Sequence, residues 1–200
     1  MPVASLQEFF RDSVAQALRR QRLEVEDQTA FYVVSLLTLF SRSEALFERT
    51  ALGVGLKPLA LMLADAAGSD DPRERDFVLQ RLGDVSLFIA GCFADSLARR
   101  PVDVDYFVRM GGSAYGSLCE SVRGTRRGAA FGSVFAELSG KFQHVVDVLN
   151  DVSDNTRLRQ DRDVLRLYES WLRTGSKRLE RLLRDLGIEP NSSLAAGARH

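Results

Sequence analysis

The sequence predicts an all-α protein, an up-down antiparallel helical bundle. Apolar residues recur at alternating steps of three and four over long segments, and helix-start signals precede several of these segments. No segment alternates apolar and polar residues as a half-buried strand would. We therefore expect one domain over residues 1–187, with four long helices in about 72–187 and three or four shorter N-terminal helices packed on them.

The first 68 residues are predicted to form the shorter helices. Side chains suited to N-caps mark their starts, at Ser5, Asp27 and Ser41. The predicted helices cover about residues 5–23, 27–40 and 41–50, a turn containing Gly and Pro follows at 53–58, and a further short helix ends at Gly68.

The four long helices follow a strong start signal, in which Asp71 is the N-cap and Pro72 is the first helical residue. The predicted spans are about 72–99, 104–122, 128–153 and 158–187. The third carries an unbroken heptad seam of Phe, Leu and Val at positions 131, 135, 138, 142, 145, 149 and 152, and the fourth continues it. Residues 188–200 have little to bury and are expected to be a disordered tail.

Small residues form a stripe on each of two neighbouring predicted helices. An antiparallel register places Gly112 opposite Gly140 and Gly116 opposite Ala136, with Gly132 one turn further along. Glycine inside a helix costs about 1 kcal/mol relative to alanine, so a compensating gain is needed. We predict that the two backbones press together along these five positions and leave no room for a ligand.

A second large-to-small match concerns the last two long helices. Aligning their heptad seams antiparallel places Phe135 opposite Gly175, the only glycine on the facing seam. This register predicts how the fourth helix closes the bundle.

Composition and charge exclude several classes of protein. The chain has 27 basic and 27 acidic side chains, a balance that argues against a dedicated nucleic-acid binder. The longest apolar run, residues 31–40, is about half of a bilayer span, so we expect no membrane span. The N terminus lacks the pattern of an export signal, and Cys92 and Cys119 lack metal-site spacing. These features predict a cytoplasmic protein.

Catalytic and cofactor motifs are also missing from the sequence. The segment 111–116 resembles no phosphate-binding motif, because no strand precedes it and no lysine follows. His144 has a lysine, not a glutamate, three positions before it, and neither cysteine has a histidine nearby in sequence. The sequence favours a non-enzymatic protein without cofactor or metal.

Two functions remain compatible with these patterns. The first is a regulator, adaptor or subunit that acts through protein contacts, which include self-association as a dimer through the long last helix. The basic outer face of that helix is a further candidate surface, suited to an acidic partner. The alternative is a bundle that binds an apolar small molecule such as haem or lipid. The predicted ligand-binding residues for that alternative are Tyr115, His144, Tyr168 and Trp171.

Overall fold

The computed structural model describes residues 3–41, 46, 48–50, 53–55, 57–94, 103–159, 171 and 176–185. It confirms an all-α protein whose helices pack against one another. The elements are α1 (Val3–Gln21), α2 (Asp27–Phe40), β1 (Glu48–Thr50), β2 (Gly53–Gly55), α3 (Leu59–Gly68), α4 (Pro72–Cys92), α5 (Val104–Ser121), α6 (Arg126–Gly140), α7 (Phe142–Arg159) and α8 (Lys177–Asp185).

Side-chain caps begin three of the longer helices, two of them at the predicted residues and the third two residues before its predicted start. The carboxylate of Asp71 accepts the backbone N–H of Arg73 at the start of α4, and Asp103 does the same for Tyr106 in α5. Thr125 caps α6 through the N–H of Gly128. These bonds satisfy N–H groups that have no partner within the helix.

Helices α4, α5 and α6 alternate in direction. Along α4, Gly83 lies against Tyr115 and Ser86 lies against Gly111, so α5 runs antiparallel to it. Between α5 and α6, Ser139 Oγ donates to the carbonyl oxygen of Gly112 at 2.9 Å, and Cys119 lies beside Gly132. Helix α6 therefore runs antiparallel to α5. Leu82, Leu87, Leu118, Leu138 and Leu149 are among the residues with no exposed surface in the core between these helices.

The predicted helix over 128–153 is two helices rather than one. Lys141, with φ −112° and ψ 19°, ends α6, and α7 begins at Phe142. The heptad seam nevertheless faces inward, because each of its positions from 135 to 152 is buried. Its first residue, Phe131, is 47% exposed. The break follows Gly140, whose backbone resists helix formation.

The N-terminal helices pack on the outside of these long helices. Arg20 of α1 forms an ion pair with Asp151 of α7 at 2.8 Å, and the Gln21 side chain donates to the Asp147 carbonyl oxygen at 2.9 Å. Helix α2 buries Val33, Leu37 and the other apolar residues of one face, and it contacts both α4 and α6. Helix α3 packs on α4 through its buried face.

A short hairpin occupies part of the segment predicted as helix 41–50 and turn 53–58. Strands β1 and β2 are antiparallel, with Glu48 opposite Gly55 and Thr50 opposite Gly53. The expected third helix therefore does not reach Thr50. Glycine at both ends of β2 disfavours helix, and β1 pairs with that strand instead.

Several predictions fall outside the described residues. Of the fourth long helix, only the buried Trp171 and α8 are described. The described residues do not include Tyr168, Gly175 or the tail over 188–200, so the seam register that involves Tyr168 and Gly175 stays a prediction. Among the described helices, none is both long and apolar enough to cross a bilayer.

Candidate functional site

A chain of hydrogen-bonded side chains crosses the bundle and joins four helices. Oδ1 of Asp84 on α4 accepts the hydroxyl of Tyr32 from α2 and that of Tyr115 from α5, each at 2.6 Å. Gln80 Nε2 donates to the Tyr32 hydroxyl oxygen at 2.8 Å. Arg127 of α6 donates in turn to the Gln80 side-chain oxygen. We call these five residues the Asp84 network.

Aromatic packing holds the two phenols in place. The ring of Phe135 on α6 is stacked on Tyr115 with centroids 6.0 Å apart, and it meets Tyr32 edge to face at 5.9 Å. Tyr115 has no exposed surface, whereas Tyr32 and Asp84 are half-buried. The network therefore runs from the core towards the surface beside α2.

Burial dominates the electrostatics of this site. Desolvation raises the pKa of Asp84 to about 6, although the two tyrosine hydrogen bonds and the charges of Arg81 and Arg127 oppose the rise. Burial and the neighbouring carboxylate raise the pKa of Tyr32 and of Tyr115 above the ordinary tyrosine value. The phenols are thus neutral donors, and Asp84 is the group of this network that titrates near neutral pH.

Arg127 also connects the network to a second carboxylate. Its Nη1 lies 3.9 Å from Oδ2 of Asp76, and its guanidinium carbon lies 5.9 Å from the centroid of the Phe135 ring. Asp76 is 9% exposed, and within the described part of the chain its Oδ1 has no hydrogen-bond partner. Arg127 thus ties Asp76 to Gln80 at the start of α4.

A separate polar cluster fixes the turn between α1 and α2. The Glu137 carboxylate of α6 accepts the backbone N–H of Glu26 at 2.9 Å and the ammonium of Lys141 at 2.7 Å. Lys141 also donates to the Glu24 carbonyl oxygen at 2.7 Å. Burial opposes ionisation of Glu137, but these hydrogen bonds and the positive charge of Lys141 prevail and lower its pKa.

The residues predicted to bind a ligand are not gathered into one accessible pocket. Tyr115 is fully buried in the Asp84 network, and Trp171 is buried as well. His144 is exposed on α7, so it does not share an accessible pocket with Tyr115. Tyr168 lies outside the described residues.

The prediction of continuous backbone packing at the small residues was wrong for three of the five positions. A Cβ atom on Gly116 would lie 3.0 Å from Ser139 Oγ, and one on Gly112 would lie 3.6 Å from Phe142. At Gly132 and Gly140 it would meet no atom within 4 Å, and Ala136 is exposed. Helix α6 turns Val134, Phe135 and Leu138 inward, which leaves Ala136 and Gly140 exposed, whereas Gly132 lies at the edge of the contact with α5.

A Cβ on Gly128 would overlap the backbone of Val122, and the other tight glycines lie on α4 and α5 against large side chains. A Cβ on Gly83 would lie 2.7 Å from the Tyr115 ring. A Cβ on Gly91 would overlap Leu149, and one on Gly111 would overlap Phe142. The sequence contained one signal for this region: Asp84, beside Gly83, is the only acidic residue in the apolar stretch 77–94.

An open cleft of about 390 Å³ lies between the end of α5 and the start of α6. Gly132, one of the predicted packing positions, lines it together with Cys119, Arg123 and Gly128. The thiol of Cys119 lies 3.6 Å from the Gly132 carbonyl oxygen. No cluster of three or more His, Cys, Asp or Glu side chains suited to a metal ion occurs among the described residues.

Three large aromatic side chains are exposed next to the Asp84 network. Phe31 is 64% exposed and adjoins Tyr32 in the chain. Phe77 is 67% exposed and precedes Gln80 by one helical turn, and Phe131 follows Arg127 by one turn. We call Phe31, Phe77 and Phe131 the aromatic surface. Leu39, Leu61 and Leu63 are the other large apolar side chains found exposed in the described residues.

Sequence reasoning did not identify either of these two features. The network joins residues that are far apart along the chain, since Tyr32 and Asp84 are 52 positions apart and Gln80 and Arg127 are 47 apart. No known protein family, curated protein or solved structure matches this chain.

Proposed function

We propose that the protein is a non-enzymatic regulator, adaptor or subunit that binds another protein through the aromatic surface. The observation that carries this proposal is the exposure of Phe31, Phe77 and Phe131 beside one hydrogen-bonded chain. Aromatic residues and arginine are enriched where protein interfaces gain most of their binding energy. Arg127, half-buried next to this surface, adds a cation of the favoured type.

Burial of these exposed side chains against a partner would be energetically favourable. Burying a phenylalanine side chain fully gains about 1.5–3 kcal/mol, and three such residues together represent a large part of a typical binding energy. Single exposed apolar residues are common on protein surfaces, but three phenylalanines around one polar network form a more specific pattern.

The Asp84 network supports the proposal because it fixes the helices that carry the aromatic surface. Hydrogen bonds from Tyr32 to Asp84 and from Arg127 to Gln80 connect α2 and α6 to α4. A partner that docks on helices already held in place loses less conformational entropy on binding. Rigid presentation of aromatic side chains is thus consistent with a recognition surface.

A cytoplasmic location is part of the proposal. Cys92 and Cys119 form no disulfide with each other, and Cys92 is buried. Free thiols persist in reducing compartments, where disulfides are rare.

The test compares the wild-type chain with two multiple variants matched in chemistry. The triple variant Phe31→Ser, Phe77→Ser and Phe131→Ser removes the aromatic surface, and the double variant Leu61→Ser and Leu63→Ser removes exposed apolar side chains from α3 instead. Each purified protein is used as bait in a cytoplasmic lysate, and its self-association is measured by sedimentation velocity over a range of concentrations. Circular dichroism checks that each variant is folded.

The proposal expects a partner, or a second copy of the chain, that binds the wild type and the α3 variant equally. Binding by the triple variant should fall at least tenfold. A wild-type protein that remains monomeric and captures nothing would contradict the proposal. Equal loss of binding in both variants would also contradict it, since binding would then not depend on the aromatic surface.

A further inference from the structure

We propose that Asp84 is a proton-operated latch for α2: protonation of its carboxylate tightens the docking of α2 on the bundle, and ionisation loosens it. The inference concerns the conformation of the free protein and does not depend on the identity of a partner.

The geometry of the carboxylate is the first reason. Oδ1 of Asp84 accepts two hydroxyl groups, one from α2 and one from α5, each at 2.6 Å. Both donors are neutral, so the negative charge is compensated by hydrogen bonds and not by a bound cation at Oδ1. An ionised carboxylate in such surroundings is less favourable than in water.

The charged and titratable groups that face Asp84 come from every helix packed around it. Tyr32 faces it from α2 and Tyr115 from α5, and both have a raised pKa, so they stay neutral at physiological pH. Arg127 on α6 and Arg81 on α4 itself provide positive charge. The Arg81 guanidinium lies 4.9 Å from the Phe40 ring centroid, and that of Arg127 reaches Gln80 and Asp76. Their combined effect is smaller than desolvation, and the pKa of Asp84 is about 6.

Helix α2 is the element that can respond, because it forms the outer side of this site. Tyr32 is half-buried, and Phe31 and Leu39 on α2 are 64% and 52% exposed. Tyr115 on α5 is instead fully buried, with its ring against Gly83. Movement of α2 away from α4 would give the Asp84 carboxylate access to water while α5 stays in place.

Linkage fixes the direction and size of the effect. The pKa of Asp84 is about 6 with α2 docked, and an exposed aspartate has the ordinary value of 3.8. A group whose pKa is raised by docking favours the docked form at low pH, and this contribution is lost as the pH rises through the raised pKa. These two values give a docking equilibrium constant about tenfold larger at pH 5 than at pH 7.5.

A second carboxylate near α2 does not interfere within this pH range. Glu137, which accepts the N–H of Glu26 at the start of α2, has a pKa below the ordinary value of 4.5. Its contribution to docking is therefore nearly constant between pH 5 and pH 7.5, and only more acidic conditions would reverse the trend.

The test is hydrogen exchange of the full-length protein, measured by mass spectrometry at several pH values from 5 to 7.5. Rates are divided by the intrinsic exchange rates, so that the protection of α2 is compared directly. The variant Asp84→Asn keeps an acceptor for both phenols but cannot titrate. Helix α3 is the internal control, because it packs on α4 outside this network.

The expected result is a tenfold rise in the protection of α2 from pH 7.5 to pH 5 in the wild type and no change in Asp84→Asn or in α3. Protection of α2 at pH 7.5 should also be lower than that of α5. A constant or opposite pH dependence of α2 would overturn the proposal. Identical protection of α2 and α5 at every pH would do the same, since Asp84 would then govern only global unfolding.

An independent measurement covers the case in which Asp84→Asn does not fold. The carboxyl carbon of Asp84 in the wild-type protein can be followed by NMR as the pH changes. A titration midpoint near pH 6 supports the latch, and a midpoint near pH 4 overturns it.

Discussion

Gly83 of α4 leaves the space that the ring of Tyr115 occupies, since a Cβ atom on Gly83 would lie 2.7 Å from Cε1 of that ring. The ring lies at the centre of the bundle and directs its hydroxyl to Asp84 in the following position of α4. The absence of a side chain at Gly83 therefore makes room for the ring whose hydroxyl donates to Asp84. Packing and electrostatics depend on each other at this point.

Replacement of Gly83 by alanine is expected to destabilise the protein. Alanine is the better helix former by about 1 kcal/mol, but its methyl group would overlap an aromatic ring that has no free space to move into. We expect a net loss of about 1–3 kcal/mol in the free energy of unfolding, measured by urea denaturation.

The matched control for this substitution is Gly140→Ala on α6. A methyl group there meets no atom within 4 Å, so the gain in helix propensity should appear as an increase in stability of up to about 1 kcal/mol. Equal effects of the two substitutions would show that close contact with Tyr115 does not determine the role of Gly83.

Removal of the Tyr115 hydroxyl is expected to raise the pKa of Asp84 further. The variant Tyr115→Phe keeps the ring but leaves Oδ1 of Asp84 with one phenol donor instead of two. Because hydrogen bonds to the ionised carboxylate lower its pKa, the titration midpoint should move above about 6. NMR of the Asp84 carboxyl group measures this shift.

The same variant should lose more stability at pH 7.5 than at pH 4.5. Hydrogen bonds to charged groups contribute about 1.5–3 kcal/mol, and those between neutral groups about 0.5–1.5 kcal/mol. The control is Tyr106→Phe, which changes another tyrosine of α5 and should alter stability by less than about 0.5 kcal/mol. A loss for Tyr115→Phe that is independent of pH would contradict the assignment of Asp84 as an ionised acceptor.

Periodicity and capping predicted most of the described helices, but not the hairpin at 48–55, the break at Lys141 or the interior of the bundle. Asp71 and Asp103 cap helices where the sequence placed their starts, because a cap is decided by residues three or four positions apart. The register of α5 on α6 was also close to its predicted value, with Gly112 bonded to Ser139 rather than placed opposite Gly140. Local sequence patterns were therefore enough to predict helix starts and the register between two helices adjacent in the chain.

The rotation of a helix about its axis is not set by local sequence, and the wrong predictions concern which face of a helix turns inward. Ala136 and Gly140 belong to a stripe of small residues that is typical of close packing, but the larger gain from burying Phe135 and Leu138 left these two positions exposed. The Asp84 network was not predicted, for a related reason. Tyr32 and Asp84 are 52 positions apart, and only the packing of α2 across α4 makes them partners.

The end of α1 provides a prediction about backbone strain. Arg22 has φ +54°, in the left-handed region that side chains with a Cβ rarely adopt. Its N–H bonds to the Arg19 carbonyl oxygen and that of Leu23 to the Leu18 carbonyl oxygen, the pattern of a Schellman motif in which glycine is usual. The variant Arg22→Gly should relieve about 1–2 kcal/mol of strain. Glycine also makes the unfolded chain more flexible, which costs about 0.4–1 kcal/mol.

A net gain of roughly 0.5–1 kcal/mol in unfolding free energy is therefore expected for Arg22→Gly, measured by urea denaturation. Arg22→Ala is the matched control, because it removes the same charge but keeps the Cβ atom. If alanine stabilised the protein as much as glycine, the gain would come from the lost charge and not from the backbone.

Glu137 should give the protein a dependence on pH opposite in sign to that of Asp84. Its lowered pKa means that the ionised form stabilises the fold above the ordinary pKa of 4.5, and that this stabilisation is lost as the pH falls through the lowered value. The variant Glu137→Gln should lose about 1 kcal/mol at pH 7 and less at pH 3, because protonation of the wild-type carboxyl at acidic pH removes the same stabilisation. Chemical denaturation at both pH values measures the difference, and Glu120→Gln, which changes a carboxylate with 71% side-chain exposure, should have little effect at either pH. A difference between wild type and Glu137→Gln that grew as the pH fell would mean that the bonds to Glu26 and Lys141 do not favour the ionised form.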